Sequence, residues 1–135
     1  MLNKKEVREQ LVQIEKKYNV NLDMYRSKLA FKDLPAALYA DEVMKFVTTG
    51  YYDGNTYMFV CTNKRILALD KGMLYKLRVE EIPMNKIQSV SFKKKLIFAE
   101  VNIVTDYAEI KIDQVYKDQV QFFAEAIKEA KEQMA

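Results

Sequence analysis

The spacing of apolar residues changes twice along this chain, from a helical period to an extended one and back again. Within residues 3–18 apolar positions recur every three or four residues, and charged or amide side chains fill the intervals. From Glu42 onward the pattern becomes alternating or continuously apolar, which is typical of strands. Tyr116–Met134 then returns to the helical period. The pattern predicts an N-terminal helix, a β-rich middle and a C-terminal helix.

Two apolar runs around a polar tetrapeptide predict a β-hairpin in the middle of the chain. Tyr57–Cys61 and Ile66–Leu69 are rich in aromatic and branched residues, and Thr62–Arg65 between them is polar. Because both runs are apolar at consecutive positions, we expect these two strands to lie inside the sheet, with both faces covered.

Five further strands are predicted around this hairpin. Glu42–Thr49 precedes it, and Asp53–Asn55 is a strong turn signal between the two. The pairing should break at Glu80–Asn85, which contains Pro83. The other predicted strands and turns are Met73–Val79, Ile87–Phe92, Ile97–Ile103 and Ala108–Ile112, with turns at Asp70–Gly72, Lys93–Lys95 and Thr105–Tyr107.

Seven short strands with short connections predict a closed or double-layered β structure. An open sheet of this length leaves edges exposed, so we expect a barrel or a two-sheet sandwich. The C-terminal helix carries a wide apolar face that suits the open end of a small barrel. That face consists of Val120, Phe123, Ile127, Ala130 and Met134, with Ala124 beside it.

The N-terminal part is predicted as a helical extension and connector, residues 1–35, ahead of one domain at residues 36–135. The apolar stripe of the helix, Val7, Leu11 and Ile14, is narrow, so the helix packs on its own domain, on a second copy or on a partner. The connector fits a broken helix or an extended chain equally well. Within it we predict helix at Tyr25–Ala30 and a short helix from Pro35 to about Leu38.

Composition narrows the class of protein. The 135 residues fit one domain, and there is no apolar signal-peptide core and no run of about 20 apolar residues, which predicts a soluble cytoplasmic protein. The 22 Lys and Arg alternate with 19 Asp and Glu along most of the chain. A nucleic-acid partner is therefore not indicated.

The inventory of reactive side chains predicts neither an enzyme nor a cofactor site. The chain has no histidine and one cysteine, which excludes His-based catalysis and Cys-rich zinc sites. Cys61 lies inside an apolar strand and is predicted to be an inert core residue. The acidic pairs Asp41-Glu42 and Glu80-Glu81 are predicted to be solvated, because adjacent residues of an extended chain point to opposite faces.

Two sets of residues are candidate contact surfaces. Lys93, Lys94 and Lys95, joined by Lys86 or by Lys76 and Arg78, form the one notable basic cluster and could contact the phosphate of a lipid headgroup or of a nucleic acid; otherwise they are a solvated hairpin tip. Large aromatic rings near turns suggest a protein interface, or else rings that pack over the ends of the barrel. These rings are Tyr51, Tyr52, Tyr57 and Tyr107, and the stripe of Val7, Leu11 and Ile14 belongs to the same hypothesis.

The sequence resembles bacterial pleckstrin-homology-like (PH-like) domains of the YokE-like type. The resemblance is carried by Thr62–Leu67 after an apolar strand, and by Ile82–Ser91, where a proline-containing turn leads into an Ile-x-x-Val strand. A weaker match is Asp41–Val43. The resemblance as a whole covers roughly Leu38 to Ile127. It implies a mostly β (α+β) fold: a PH-like seven-stranded antiparallel barrel capped by a C-terminal helix, here preceded by a helical extension.

The resemblance also implies a non-catalytic scaffold from bacteria or their phages. Eukaryotic PH domains that bind phosphoinositides carry several Lys and Arg around the first hairpin loop, whereas Thr48–Asn55 has none, so that activity is not carried over. We expect a non-enzymatic binding or assembly module that acts through protein–protein contacts, with a protein partner or a second copy. The alternatives are peripheral membrane association through the Lys93–Lys95 face, and a phage-encoded inhibitor of a host protein.

Overall fold

The computed structural model describes residues 2–22, 34–70 and 78–134 of the chain. The predicted helix at Tyr25–Ala30, most of the predicted strand Met73–Val79 and most of the turn Asp70–Gly72 lie outside these residues. The elements, in chain order, are α1 Lys4–Tyr18, α2 Leu34–Ala37, β1 Met44–Tyr52, β2 Asn55–Thr62, β3 Arg65–Asp70, β4 Arg78–Pro83, a 3₁₀ turn Met84–Lys86, β5 Ile87–Lys94, β6 Ala99–Thr105, β7 Glu109–Val115 and α3 Val120–Met134.

The seven strands form one antiparallel sheet in the order β4-β3-β2-β1-β7-β6-β5. The central hairpin is β2 and β3, and every residue of β3 is buried, as expected for a strand inside the sheet. The sheet is open, with β4 and β5 at its ends, and α3 packs against it, mainly on β5 and β1. The predicted fold class of seven antiparallel strands with a C-terminal and an N-terminal helix is confirmed, with the sheet open instead of closed into the expected barrel.

The turn between β1 and β2 follows the sequence prediction. Asp53 and Gly54 both have positive φ, at 47° and 85°, and Tyr52 pairs directly with Asn55. Two central residues with positive φ give the type I′ turn that matches the right-handed twist of a hairpin. Farther along β1, Gly50 faces Ile112 of β7, where the Cγ2 atom of Ile112 would collide with any added Cβ. The missing side chain thus lets β1 and β7 approach each other.

Two predicted boundaries were wrong. Pro83 does not break the pairing, because β4 continues through it and Pro83 pairs with Arg65 of β3. Proline is tolerated there because β4 is an edge strand and needs no ladder bond on its outer side. Lys93 and Lys94 lie in β5 instead of a turn, and the loop between β5 and β6 is residues 95–98, which places Ile97 outside β6.

Helix α1 is docked on the rest of the chain. A capping box starts it, since the Asn3 side chain accepts a hydrogen bond from the Glu6 N–H and the Glu6 carboxylate accepts one from the Asn3 N–H. Its predicted stripe, Val7, Leu11 and Ile14, is buried in the common hydrophobic core. The helix therefore packs on its own chain.

Polar contacts fix the position of α1. The Gln10 side chain donates to the carbonyl oxygen of Glu42 at 3.1 Å and accepts from the N–H of Met44 at 2.8 Å. The Glu129 carboxylate of α3 binds Lys17 of α1 at 2.7 Å and Lys45 of β1 at 3.1 Å. The hydrogen bond from Lys17, followed by that from Lys45, lowers the pKa of Glu129 below its ordinary value. One acid thus joins α1, β1 and α3.

Helix α3 buries most of its predicted apolar face. Val120, Phe123, Ile127 and Ala130 are all inaccessible to solvent, and the Phe123 ring lies 6.5 Å from that of Phe59. Met134, predicted on the same face, is the last residue of the helix and is exposed.

Candidate binding surface

The most exposed apolar side chains of the described residues lie at the tip of the β5–β6 hairpin. Leu96 is 90% exposed and Ile97 is 72% exposed, and Phe98 is partly exposed. We call these three residues the apolar tip. The N–H of Lys95 donates to the carbonyl oxygen of Phe98 at 2.9 Å, and the Phe98 ring packs against Tyr116 at 6.1 Å. The loop is thus closed, and it holds Leu96 and Ile97 outward.

The lysines near the apolar tip differ in whether they form ion pairs. Lys93 and Lys94 are exposed at the end of β5, and neither has an ion-pair partner in the part of the chain that the structure describes. Lys95 instead binds Glu100 at 3.2 Å and Asp113 at 3.3 Å. These two hydrogen bonds, with Glu100 the stronger cause, raise the pKa of Lys95.

Lys117 adds a fourth positive charge. It precedes α3 in the chain, and its Nζ donates to the carbonyl oxygen of Leu96 at 3.3 Å. The sequence did not indicate this residue, since only the fold brings it to the tip. Lys86, which was predicted to join this cluster, lies away from it at the other end of β5. Lys94 lies eight extended residues farther along the chain, which corresponds to roughly 25 Å. The Nζ of Lys86 lies 4.0 Å from the carboxylate of Asp106.

A groove runs between the apolar tip and β1. It has a volume of about 430 Å³ and is lined by Tyr51, Asp113 and Gln114 together with residues 95–99. Tyr51 is 40% exposed there, as the prediction of a surface aromatic requires. Gln114 adopts a left-handed conformation, with φ of 56°, where the β6–β7 register shifts.

The other predicted interface residues are less available. Tyr57 was predicted near the surface, but it is only 2% exposed because its ring packs between those of Tyr52 and Phe59. Tyr52 is half-buried by the same contact. Val7, Leu11 and Ile14 are covered by their own chain. Tyr107 is 68% exposed at the β6–β7 turn, at the opposite end of β6 from the apolar tip.

The prediction that both acidic pairs are solvated was wrong for Glu42. This residue is 1% exposed, and its carboxylate accepts hydrogen bonds from Arg65 Nε at 3.0 Å, from Thr62 Oγ1 at 2.8 Å and from the N–H of Tyr39 at 2.8 Å. Burial alone would raise the pKa of Glu42, but the hydrogen bonds from Arg65, Tyr39 and Thr62 outweigh it and lower the pKa.

Arg65 is the centre of this buried cluster. Besides Glu42, its guanidinium binds Glu81 at 2.6 Å and the carbonyl oxygen of Ala37 at 2.9 Å, and it lies 4.1 Å from the centre of the Tyr39 ring. All three guanidinium nitrogens of Arg65 donate hydrogen bonds, so the cluster is a structural connection between β3, β4 and the segment before β1. The sequence signal that could have indicated it is an arginine opening an otherwise apolar strand.

The candidate nucleophile considered in the sequence analysis is Cys61. Cys61 is fully buried, and burial raises the pKa of its thiol to about 12. Residues 2–22, 34–70 and 78–134 contain no group of three His, Cys, Asp or Glu side chains placed to hold a metal ion. Within the same ranges, none of the helices is both long and apolar enough to cross a membrane.

Solved structures with the same fold come from bacteria and from human. A DUF1696 family protein with a pleckstrin-homology domain from Shewanella loihica PV-4 superposes with a TM-score of 0.57 at 19% identity, covering 83% of this chain and 94% of that one. The pleckstrin homology domain from Shewanella amazonensis SB2B gives 0.54 at 17%, covering 82% and 98%. The hSac2 domain from human phosphoinositide phosphatase Sac2 gives 0.55 at 14%, covering 86% of each.

The comparison of sequences gives the family. No protein with a curated description matches the chain. The family model described as Bacterial PH domain matches residues 38–129, which is well over half of the chain and nearly the region of the resemblance noted from the sequence. Domains of this kind commonly mediate binding, and the YokE-like type remains a prediction. The chain belongs to the Bacterial PH domain family.

Proposed function

We propose that this protein is a non-enzymatic binding module that associates peripherally with membranes, and that the apolar tip is the part that enters the lipid interface. The observation that carries this proposal is the exposure of Leu96 and Ile97, side by side at the end of a hairpin whose base is held by hydrogen bonds and ion pairs. Large exposed apolar groups mark contacts with proteins or membranes, and a protruding tip suits a bilayer better than a flat interface.

The energetic scale supports reversible binding. Moving one large aliphatic side chain out of water is worth roughly 1.5–3 kcal/mol, so Leu96 and Ile97 together supply about 3–6 kcal/mol when fully inserted. Such an amount holds a protein on a surface weakly without anchoring it permanently. The site differs from the β1–β2 loop of phosphoinositide-binding PH domains, since Thr48–Asn55 of this chain carries no basic residue.

Protein–protein contacts are the second candidate. They are favoured by the groove beside Tyr51, which is large enough for one or two side chains of a partner. A host protein bound by a phage-encoded inhibitor would be one partner of that kind. Against this candidate, most of the other predicted interface residues are buried in the same chain, including Tyr57 and the stripe of α1.

Binding to lipid vesicles tests the proposal. We expect the protein to float with vesicles of phosphatidylcholine and phosphatidylglycerol, and the double variant Leu96→Asn/Ile97→Asn to bind at least tenfold more weakly, because the inserted apolar area is lost. Tyr107→Asn is the control, since it removes a large side chain that is 68% exposed at the other end of β6.

Two results would contradict the proposal. Vesicle binding that survives in Leu96→Asn/Ile97→Asn would contradict insertion of the apolar tip. If the wild-type protein floats with no vesicles, while a photo-crosslinker at position 97 joins it to a protein in cells, the second candidate replaces the first.

The YokE-like type within the family is also a proposal. It is supported by the Thr62–Leu67 and Ile82–Ser91 motifs, both of which lie in the matched region.

A further inference from the structure

We infer that the membrane partner of the apolar tip is an anionic bilayer, selected by Lys93, Lys94 and Lys117. This inference rests on the proposed function and adds the charge of the lipid and the residues that read it. It also assigns two different roles to the lysines near the tip. The sequence alone does not distinguish these roles, because the side chains are identical.

The charges around the tip leave an excess of positive charge toward the lipid. The loop and the residues bound to it contain four lysines, Lys93, Lys94, Lys95 and Lys117, against two carboxylates, Glu100 and Asp113, which leaves two positive charges. Both carboxylates are bound by Lys95. The outer charges of the neighbouring strands, Glu109 and Lys111, cancel each other.

Lys95 has a positioning role. Its Nζ holds Glu100 of β6 and Asp113 of β7 at 3.2 and 3.3 Å, so it ties the start of the loop to the sheet and offsets one of the two negative charges beside it. Its charge is therefore compensated before any lipid approaches. Removing it would expose two carboxylates and repel an anionic surface.

Lys93 and Lys94 have the contact role. They are exposed, unpaired within the described part of the chain, and two or three residues from Leu96. When Leu96 and Ile97 enter the interface, the long stems of these lysines can lie along the acyl boundary with their ammonium groups at the headgroups. Lys117 lies beside them, because its Nζ contacts the backbone of Leu96.

Two vesicle compositions separate the charge preference from insertion itself. Wild-type protein is titrated with vesicles of pure phosphatidylcholine and with vesicles in which one-third of the lipid is phosphatidylglycerol. We expect affinity for the anionic vesicles to be at least tenfold higher, and to fall as salt rises from about 0.1 M to about 0.5 M.

The decisive variant is Lys93→Gln/Lys94→Gln. Its affinity for anionic vesicles is expected to fall between about tenfold and thirtyfold, with little change on pure phosphatidylcholine. The control Lys86→Gln/Lys128→Gln has the same net charge but is altered far from the tip: Lys86 lies at the other end of β5, and Lys128 is one helical turn from Lys131, which binds the carbonyl oxygen of Gln88 there. It is expected to bind within about twofold of wild type.

Each contrary outcome refers to a different claim. Equal wild-type binding to neutral and anionic vesicles would overturn the charge preference and leave the proposed insertion standing. An equal loss in Lys93→Gln/Lys94→Gln and in the control would show that only net charge matters and would overturn the assigned roles. No binding to either vesicle would overturn the proposed function, and this inference with it.

Discussion

Replacing Glu42 by alanine is expected to lower the free energy of unfolding by about 3–5 kcal/mol, among the largest effects of any single substitution in this chain. The reason is that Arg65 is buried beside it and would keep only the half-exposed Glu81 as a charged partner. The N–H of Tyr39 would lose its acceptor as well, and the hydroxyl of Thr62 would keep only the carbonyl oxygen of Arg65. Urea titration followed by circular dichroism measures the change.

Asp41 provides the matched control for this prediction. It is the acid next to Glu42 in the chain and also has a basic partner, Lys64, but its carboxylate is exposed. Asp41→Ala is therefore expected to change stability very little. Equal effects of Glu42→Ala and Asp41→Ala would contradict the buried cluster described above.

The same cluster gives stability a defined dependence on pH. The folded-state pKa of Glu42 lies below its unfolded value, so its stabilising contribution is fully present above the unfolded pKa of about 4.3 and is lost as the pH falls through the folded pKa. Glu42→Gln is expected to be less stable than wild type at neutral pH, with the difference shrinking in acid. A difference that stays constant between pH 7 and pH 3 would contradict this account.

The second large effect is expected for Phe123→Ala, at about 3–5 kcal/mol of unfolding free energy. Phe123 has no exposed surface and packs against Phe59 of β2, so the substitution leaves a cavity between α3 and the sheet. The loss arises from removed apolar contacts and from a space that neighbouring side chains cannot fill. Denaturant titration is again the measurement.

Lys128→Ala on the exposed face of α3 is the control for the Phe123 variant. It changes one helix residue without creating a cavity and is expected to have little effect on stability. A loss below about 1 kcal/mol for Phe123→Ala would show that α3 is not docked on the sheet as described.

The fold could be predicted in large part because periodicity reports burial on one face. The stripe of α1, the continuous apolar runs of β2 and β3 and the Asp53–Gly54 turn each carry a local signal that the three-dimensional structure retains. The end of β4 was misjudged because Pro83 disrupts a strand only where its missing N–H is needed, and at the outer edge of the sheet it is not.

The site was harder to predict because its residues come together only in the fold. Glu42 lies between two exposed residues in the chain, so its local sequence is that of a surface acid. Only the pairing of β1, β2 and β3 brings it to Arg65. The three lysines at 93–95 look equivalent in sequence, but of these three only Lys95 forms ion pairs within the described residues, with Glu100 and Asp113. Ile97 alternates correctly for a strand, yet the loop begins two residues later than predicted and leaves it exposed.

Fluorescence from a probe at position 97 tests the central claim most directly. The variant Ile97→Cys can be labelled with an environment-sensitive dye, because burial and a thiol pKa of about 12 leave Cys61 unreactive in the folded protein. On vesicles of phosphatidylcholine and phosphatidylglycerol, the dye at position 97 is expected to shift to the blue and brighten, whereas the same dye on Tyr107→Cys stays unchanged. No shift at position 97, or equal shifts at both positions, would contradict a membrane contact made by the apolar tip.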